Sequence, residues 1–218
     1  MHKTTEVDME KNILEENEKI AKKNREMFEE KSVRAFNILG AIGSGKTSLI
    51  ERLKEGMDER VGALAGDLNG KDDYERFIEK GISAAAINTG KDCHLDAHYV
   101  NHGLEDLDLG DLDFLFIENV GNLICPVDFP LGTEAEVVVV SVTEGDDMIR
   151  KHPLIFSRAD LTVLNKVDLA DAMDVDIETI EEDYREVNPH GTLIKTNAKE
   201  GLGVDKVADF LDIPYSDR

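Results

Sequence analysis

The sequence predicts an α/β domain on a mostly parallel sheet of about seven strands, with helices on both faces and one further helix ahead of it. Three observations carry this. From Val33 onward short apolar runs alternate with amphipathic stretches. Several runs are apolar without alternation, as strands covered on both faces are. The first run passes through a glycine-rich loop, Gly40-Ala41-Ile42-Gly43-Ser44-Gly45-Lys46-Thr47, directly into a helical pattern.

Taken in order, residues 6–31 lack Gly and Pro and predict an exposed helix. Its apolar positions, Ile13, Leu14, Ile20, Met27 and Phe28, make a narrow stripe near a seven-residue repeat, suited to docking on the domain or on a partner helix. Strands are predicted at Val33–Leu39, Val61–Ala65, Ala84–Ile87, Phe114–Glu118, Glu136–Ser141, Leu161–Asn165 and Leu193–Thr196. Helices are predicted at Lys46–Met57, Asp72–Lys80, Leu95–His102, Asp146–Arg158, Ile177–Asn188 and Val204–Leu211. The chain thus divides into an N-terminal amphipathic helix, 1–31, and one domain, 32–218. Functional side chains are expected in loops at the carboxyl ends of the strands.

The loop at residues 40–47 satisfies the pattern G-x-x-x-x-G-K-[ST] in its strand–loop–helix setting, which makes the fold class a P-loop NTPase. Gly40, Gly43 and Gly45 let backbone N–H groups, with those of Ser44 and Ser48, turn toward phosphates at a helix N-terminus. Lys46 neutralises phosphate charge and the Thr47 hydroxyl ligates Mg²⁺. Asp67 and Glu118, at two strand ends, are the acids expected to complete the Mg²⁺ site, and with Lys46 and Thr47 they are the catalytic candidates. Glu118 stands where small GTPases carry Asp, so contact through water is expected. No Gln follows in the water-orienting place, so slow turnover is expected.

Asn165-Lys166-Val167-Asp168 leaves the sixth strand and matches the N-K-x-D element of GTP-binding proteins. A carboxylate at Asp168 accepts from guanine N1–H and the 2-amino group, a donor pair adenine lacks, and so selects GTP. The Lys166 stem lies along the base, and Asn165 ties neighbouring loops. Thr196-Asn197-Ala198-Lys199 resembles the S/T-x-A-K loop of the same proteins, with the Ala198 N–H near guanine O6 and Lys199 beside it.

Cys93 and His94 are adjacent, and Cys125 follows before Pro126. His94, His98 and His102 share one helical face if Leu95–His102 is a helix. Thiolate and imidazole suit Zn²⁺ or Ni²⁺. Cys93, His94 and Cys125, with His98 as a less secure fourth, form the candidate set. Water, His98 or a second chain are the choices for the fourth position, the last placing the metal on a two-fold axis. The alternative is two small core cysteines beside surface histidines.

Composition bounds the partners. Lys plus Arg number 25 and Asp plus Glu 47, a formal charge of -22. Such a field repels nucleic acid and anionic lipid, so neither is an expected partner. No run approaches the ~18 apolar residues of a membrane span. The charged 6–31 segment is no secretory leader, and the expected compartment is the cytoplasm.

On these residues the chain resembles the HypB family of GTPases that assist nickel insertion into [NiFe] hydrogenases. The resemblance spans roughly 33–211. Its most specific segments are Cys93-His94-Leu95-Asp96-Ala97 and Glu118-Asn119-Val120-Gly121-Asn122-Leu123-Ile124-Cys125-Pro126, supported by Ser141–Asp147. It implies GTP hydrolysis to GDP and phosphate, a GTP-dependent homodimer with Zn²⁺ or Ni²⁺ on Cys93, His94 and Cys125 at the interface, a HypA-type metallochaperone partner, and the hydrogenase large subunit as client. Some members open with a cysteine-rich or histidine-rich nickel motif. Met1–Ser32 has no Cys and only His2, so the site in the domain is expected to be the only specific one. Two rival readings stay open. One is a GTP-dependent recruitment switch with a structural zinc. The other is a P-loop kinase, against which Asn165–Asp168 argues.

Overall fold

A computed structural model describes the backbone of residues 3–216, with side chains described from residue 11. Seven strands form one parallel sheet: β1 Arg34–Gly40, β2 Val61–Asp67, β3 Ser83–Asn88, β4 Phe114–Glu118, β5 Ala135–Ser141, β6 Leu161–Asn165 and β7 Thr192–Lys195, in the order β3-β2-β4-β1-β5-β6-β7. The central strands are apolar on both sides, with Val137, Val138 and Val139 fully buried in β5. One face packs on α2 (Lys46–Glu55) and on α8 (Val204–Phe210), through Leu49, Leu53, Val204 and Val207. The other face carries two separate apolar clusters, one around Leu115 and Ile117, the other around Val138 and Phe156. Between them runs a buried polar seam. Asn37 donates to Glu136 at 2.6 Å, and Asn119 donates to Asn37 at 3.3 Å. Because β4 and β5 flank β1, the loops after all three strands open on one edge of the sheet, where the site lies.

The remaining helices are α1 Lys3–Lys31, α3 Asp72–Glu79, α4 Ala97–Gly103, α5 Met148–Lys151, α6 Pro153–Arg158 and α7 Ile177–Val187. No helix among the described residues is long and apolar enough to cross a membrane.

Three sequence expectations need correction. The helix expected at Asp146–Arg158 is two, because Pro153 has no N–H to continue α5 and starts α6 as its first residue. The helix expected from Leu95 starts at Ala97. The Asp96 side chain accepts the Tyr99 N–H at 2.8 Å and caps it there, leaving His94 outside. The docking stripe of α1 matches at Met27 and Phe28 but differs ahead of them. Ile13 is 57% exposed, whereas Asn17, Ala21, Asn24 and Phe28 form the buried line. The two asparagines are hydrogen-bonded where they are buried. Asn17 donates to Pro130 O and accepts from Ala97 N, and Asn24 donates to Ala97 O and Leu131 O. Sequence periodicity weighs only apolar residues, and this helix docks through polar ones that reach backbone groups.

Candidate nucleotide site and metal centre

β1 ends at Gly40, and its chain turns back through Gly45, which has φ of 102° before α2 begins. A Cβ on Gly45 would stand 2.2 Å from the Asn165 amide nitrogen, so glycine is required there for both backbone sign and space. The loop borders an open cleft of about 500 Å³ lined by Gly43, Gly45, Lys46, Thr47, Ser48, Asp67, Asp73, Arg76, Glu118 and Lys166. Lys46 is buried and folds back on its own loop, 3.1 Å from Ala41 O and 3.4 Å from Gly40 O, with Glu118 at 3.9 Å.

Thr47 Oγ1 lies 2.9 Å from Glu118 Oε1 and 2.8 Å from Asp73 Oδ1. Glu118 thus bonds the Thr47 hydroxyl directly. Its other oxygen is buried with no partner, and burial pushes its carboxyl up to about 7 against the pull of Lys46. A hydroxyl, a buried orphan carboxylate oxygen and a second carboxylate around one cleft fit hydrated Mg²⁺, which takes few protein oxygens and keeps several waters. Asp67 lines the same cleft from the end of β2 and bonds the Leu68 N–H at 2.5 Å. Asp73 was missed by sequence reasoning. Its signal was the Asp72-Asp73 pair opening α3, a position ordinarily explained by helix-terminal charge.

The base-side loops meet the P-loop as the sequence suggested. Asn165 donates to Ser44 O at 2.9 Å and accepts from Thr196 Oγ1 and Ala198 N at 3.1 and 3.0 Å. Lys166, in a left-handed turn at φ 59°, donates to Gly43 O at 2.6 Å. Asp168 and Lys199 are exposed at this edge, and Ala198 is buried.

The ligating atoms of Cys93, His94 and Cys125 lie within 4.8 Å of one another. Donors around a tetrahedral ion with bonds of about 2.3 Å stand about 3.8 Å apart, so a small contraction suffices for Zn²⁺ or Ni²⁺. The Cys93 thiol is raised, first by its hydrogen bond with Cys125 and then by burial, while burial lowers His94. His94 packs on Phe129 in a tilted pair with centroids 4.1 Å apart. His98 does not join the cluster. It is exposed and packs edge-on to His102 at 4.6 Å, because the cap at Asp96 puts only these two on the helix.

The chain is similar to known proteins over most of its length. Residues 34–195 match the model of the family described as CobW/HypB/UreG, nucleotide-binding domain. A Methanocaldococcus jannaschii protein named probable hydrogenase maturation factor HypB is 49% identical over 214 residues, 97% of each chain. The crystal structure of hydrogenase maturation factor HypB from Archaeoglobus fulgidus superposes with a TM-score of 0.84 at 53% identity, covering 90% of this chain and 97% of that one. HypB from Helicobacter pylori, solved in complex with nickel, superposes at 0.85 with 32% identity, covering 90% and 93%.

Proposed function

The chain belongs to the CobW/HypB/UreG nucleotide-binding family, in its HypB branch, and on that premise we propose that it hydrolyses GTP to GDP and phosphate in the service of nickel insertion into the [NiFe] hydrogenase large subunit. In this reading Lys46 leaves the carbonyls of its own loop for the phosphates. Thr47, with Glu118, Asp67 and Asp73, holds hydrated Mg²⁺, which supplies charge neutralisation between the phosphates. Asp168 selects guanine, while Asn165 holds the P-loop and the Ala198 loop in register. Nickel is cargo on Cys93, His94 and Cys125. A second copy of the chain supplies the missing donor in a GTP-dependent homodimer, and a HypA-type metallochaperone exchanges the ion in the cytoplasm.

One observation carries the reading. Glu118, at the Thr47 hydroxyl, and Cys125, beside Cys93, are the two ends of a single stretch of chain leaving β4. A nucleotide that moves one end moves the other, provided that it binds the two arrangements with different affinity. The experiment is a Ni²⁺ titration of metal-free protein with GDP–Mg²⁺ and with a non-hydrolysable GTP analogue, with mass followed by light scattering. Nickel affinity or stoichiometry that changes between the two states, together with doubled mass, is the expected result. Identical binding in both states would overturn gated transport. Zinc that nickel cannot displace would make the centre structural and the protein a recruitment switch.

A further inference from the structure

Asn122 lies between the two sites and touches both. Its backbone N–H donates to Gly40 O at 3.1 Å, the β1 carbonyl that also receives Lys46 Nζ. Its side-chain amide donates to Cys93 O at 3.2 Å. Its side-chain oxygen accepts from Ile124 N at 2.8 Å and from Cys125 N at 3.4 Å. One residue therefore fastens both cysteine-bearing loops to the P-loop, without itself offering a ligand to metal or nucleotide.

The segment is also pressed onto the P-loop. A Cβ on the preceding Gly121 would meet Ile42 Cγ1 at 2.4 Å and Ile42 N at 2.9 Å, so no other residue lets the two loops lie this close. Leu123 and Leu95 anchor the two cysteine-bearing loops in the apolar clusters below, but Ile42 and Ile124, at the contact itself, are 81% and 66% exposed. The side chain of Asn122 bonds the backbone of both cysteine-bearing loops directly, at Cys93 on one side and at Ile124 and Cys125 on the other.

We propose that Asn122 is the positioning residue of the metal centre, and that filling the nucleotide site tightens its hold by withdrawing Lys46 from the shared Gly40 carbonyl. Free of nucleotide, that oxygen serves an ammonium and an amide at once. A β-phosphate, the natural partner of a P-loop lysine, takes the ammonium. The carbonyl is left to the Asn122 N–H, and the Asn122 side chain carries the change to Cys93 and Cys125. This rests on the nucleotide and metal assignments above, but not on GTP differing from GDP. Its signature is GDP-bound against nucleotide-free protein, because GDP already presents a β-phosphate.

The probe is Co²⁺, whose thiolate charge-transfer absorption reports how many cysteines are bound. It is titrated into wild type, Asn122→Ala and Asn122→Asp, each with and without GDP in the same Mg²⁺ buffer, at protein concentrations where light scattering shows one copy. Wild type is expected to bind Co²⁺ several-fold more tightly with GDP, and by linkage to hold GDP more tightly by the same factor with Co²⁺. Asn122→Ala is expected to lose about 10–100-fold in Co²⁺ affinity, the usual cost of removing a partner that orients a ligand. It also loses the GDP effect and the second thiolate's absorption. Asn122→Asp keeps the acceptor for Ile124 and Cys125 but not the donor to Cys93, and falls between. Circular dichroism melts establish that each variant is folded before titration. A folded Asn122→Ala with wild-type affinity and absorption overturns the positioning role, and a wild type indifferent to GDP overturns the Lys46 link. Gated transport fails separately, if GDP and the GTP analogue give the same nickel binding.

Discussion

Asp168 is exposed two residues beyond Lys166, which lines the nucleotide cleft, and the proposed function assigns its single charge the choice of base. Asp168→Asn replaces one acceptor oxygen by a donor that faces the guanine 2-amino group. Charge-assisted bonds of this kind contribute about 1.5–3 kcal/mol, so GTP affinity is expected to fall about 10–100-fold while ATP binding stays weak. Competition with labelled GDP measures both. A second carboxyl acts on stability. Desolvation holds Glu136 up to about 7, against the bonds from Asn37 and Thr133 and with Asp160 nearby adding to the rise. Below its unfolded value, near 4.5, the group is neutral in folded and unfolded chains, and the preference of the fold for the protonated form is fully expressed. As pH rises through about 7 the folded chain must ionise it in place, and that contribution is lost. At about 1.4 kcal/mol per pH unit, the loss is at most about 3.5 kcal/mol. Urea melts between pH 5 and 8 are expected to show ligand-free protein weakening with pH. Glu136→Gln should flatten the slope in part, since Glu118 adds one of the same sign. Both acids named from sequence line the cleft, and Cys93, His94 and Cys125 converge, because strand ends in a parallel sheet share one edge. Asp73 and Asn122 were not legible. Their types are common at helix starts and in turns, and only the folded chain shows what they face.

At the scale of elements, β4 and β6 have the limits the sequence suggested, since continuous apolar runs end in polar residues at Glu118 and Asn165. The helices were less legible wherever capping or a missing N–H decided a boundary, as at Asp96 and Pro153. For α1 the expected stripe holds at Met27 and Phe28, while its exposed Ile13 and the buried asparagines were not foreseen. Its contact with the domain depends on Asn24, which donates to Ala97 O and Leu131 O and accepts from Asn101. Asn24→Ala leaves the Leu131 carbonyl and the Asn101 amide without this partner and takes the second donor from the Ala97 carbonyl, an expected loss of about 2–3 kcal/mol in chemical denaturation. Gly132→Ala tests the same contact from the other side. Gly132 has φ of 92°, and its Cβ would stand 2.1 Å from Ala21 O. The expected outcome is α1 lifted from the domain, read as faster hydrogen exchange over 17–28 with the sheet still protected.

For the whole molecule, the dominant property is a formal charge of -22, against which any association of two copies must work. In the proposed homodimer the repulsion is long-range, while attraction comes from the contact itself and from a divalent ion shared between thiolates. Salt separates the two. The screening length falls from about 10 Å at 0.1 M to about 3 Å at 1 M, which removes repulsion between distant carboxylates and hardly touches coordination bonds at contact. Dimerisation with the GTP analogue and Ni²⁺ is therefore expected to strengthen as monovalent salt rises from about 0.05 to 0.5 M, by light scattering at fixed protein concentration. A pairing driven by complementary charged patches would weaken over the same range. Weakening would place the attraction in ion pairs such as those available to the exposed Lys199, and would move the search for the interface to the base-side edge rather than the thiol cluster.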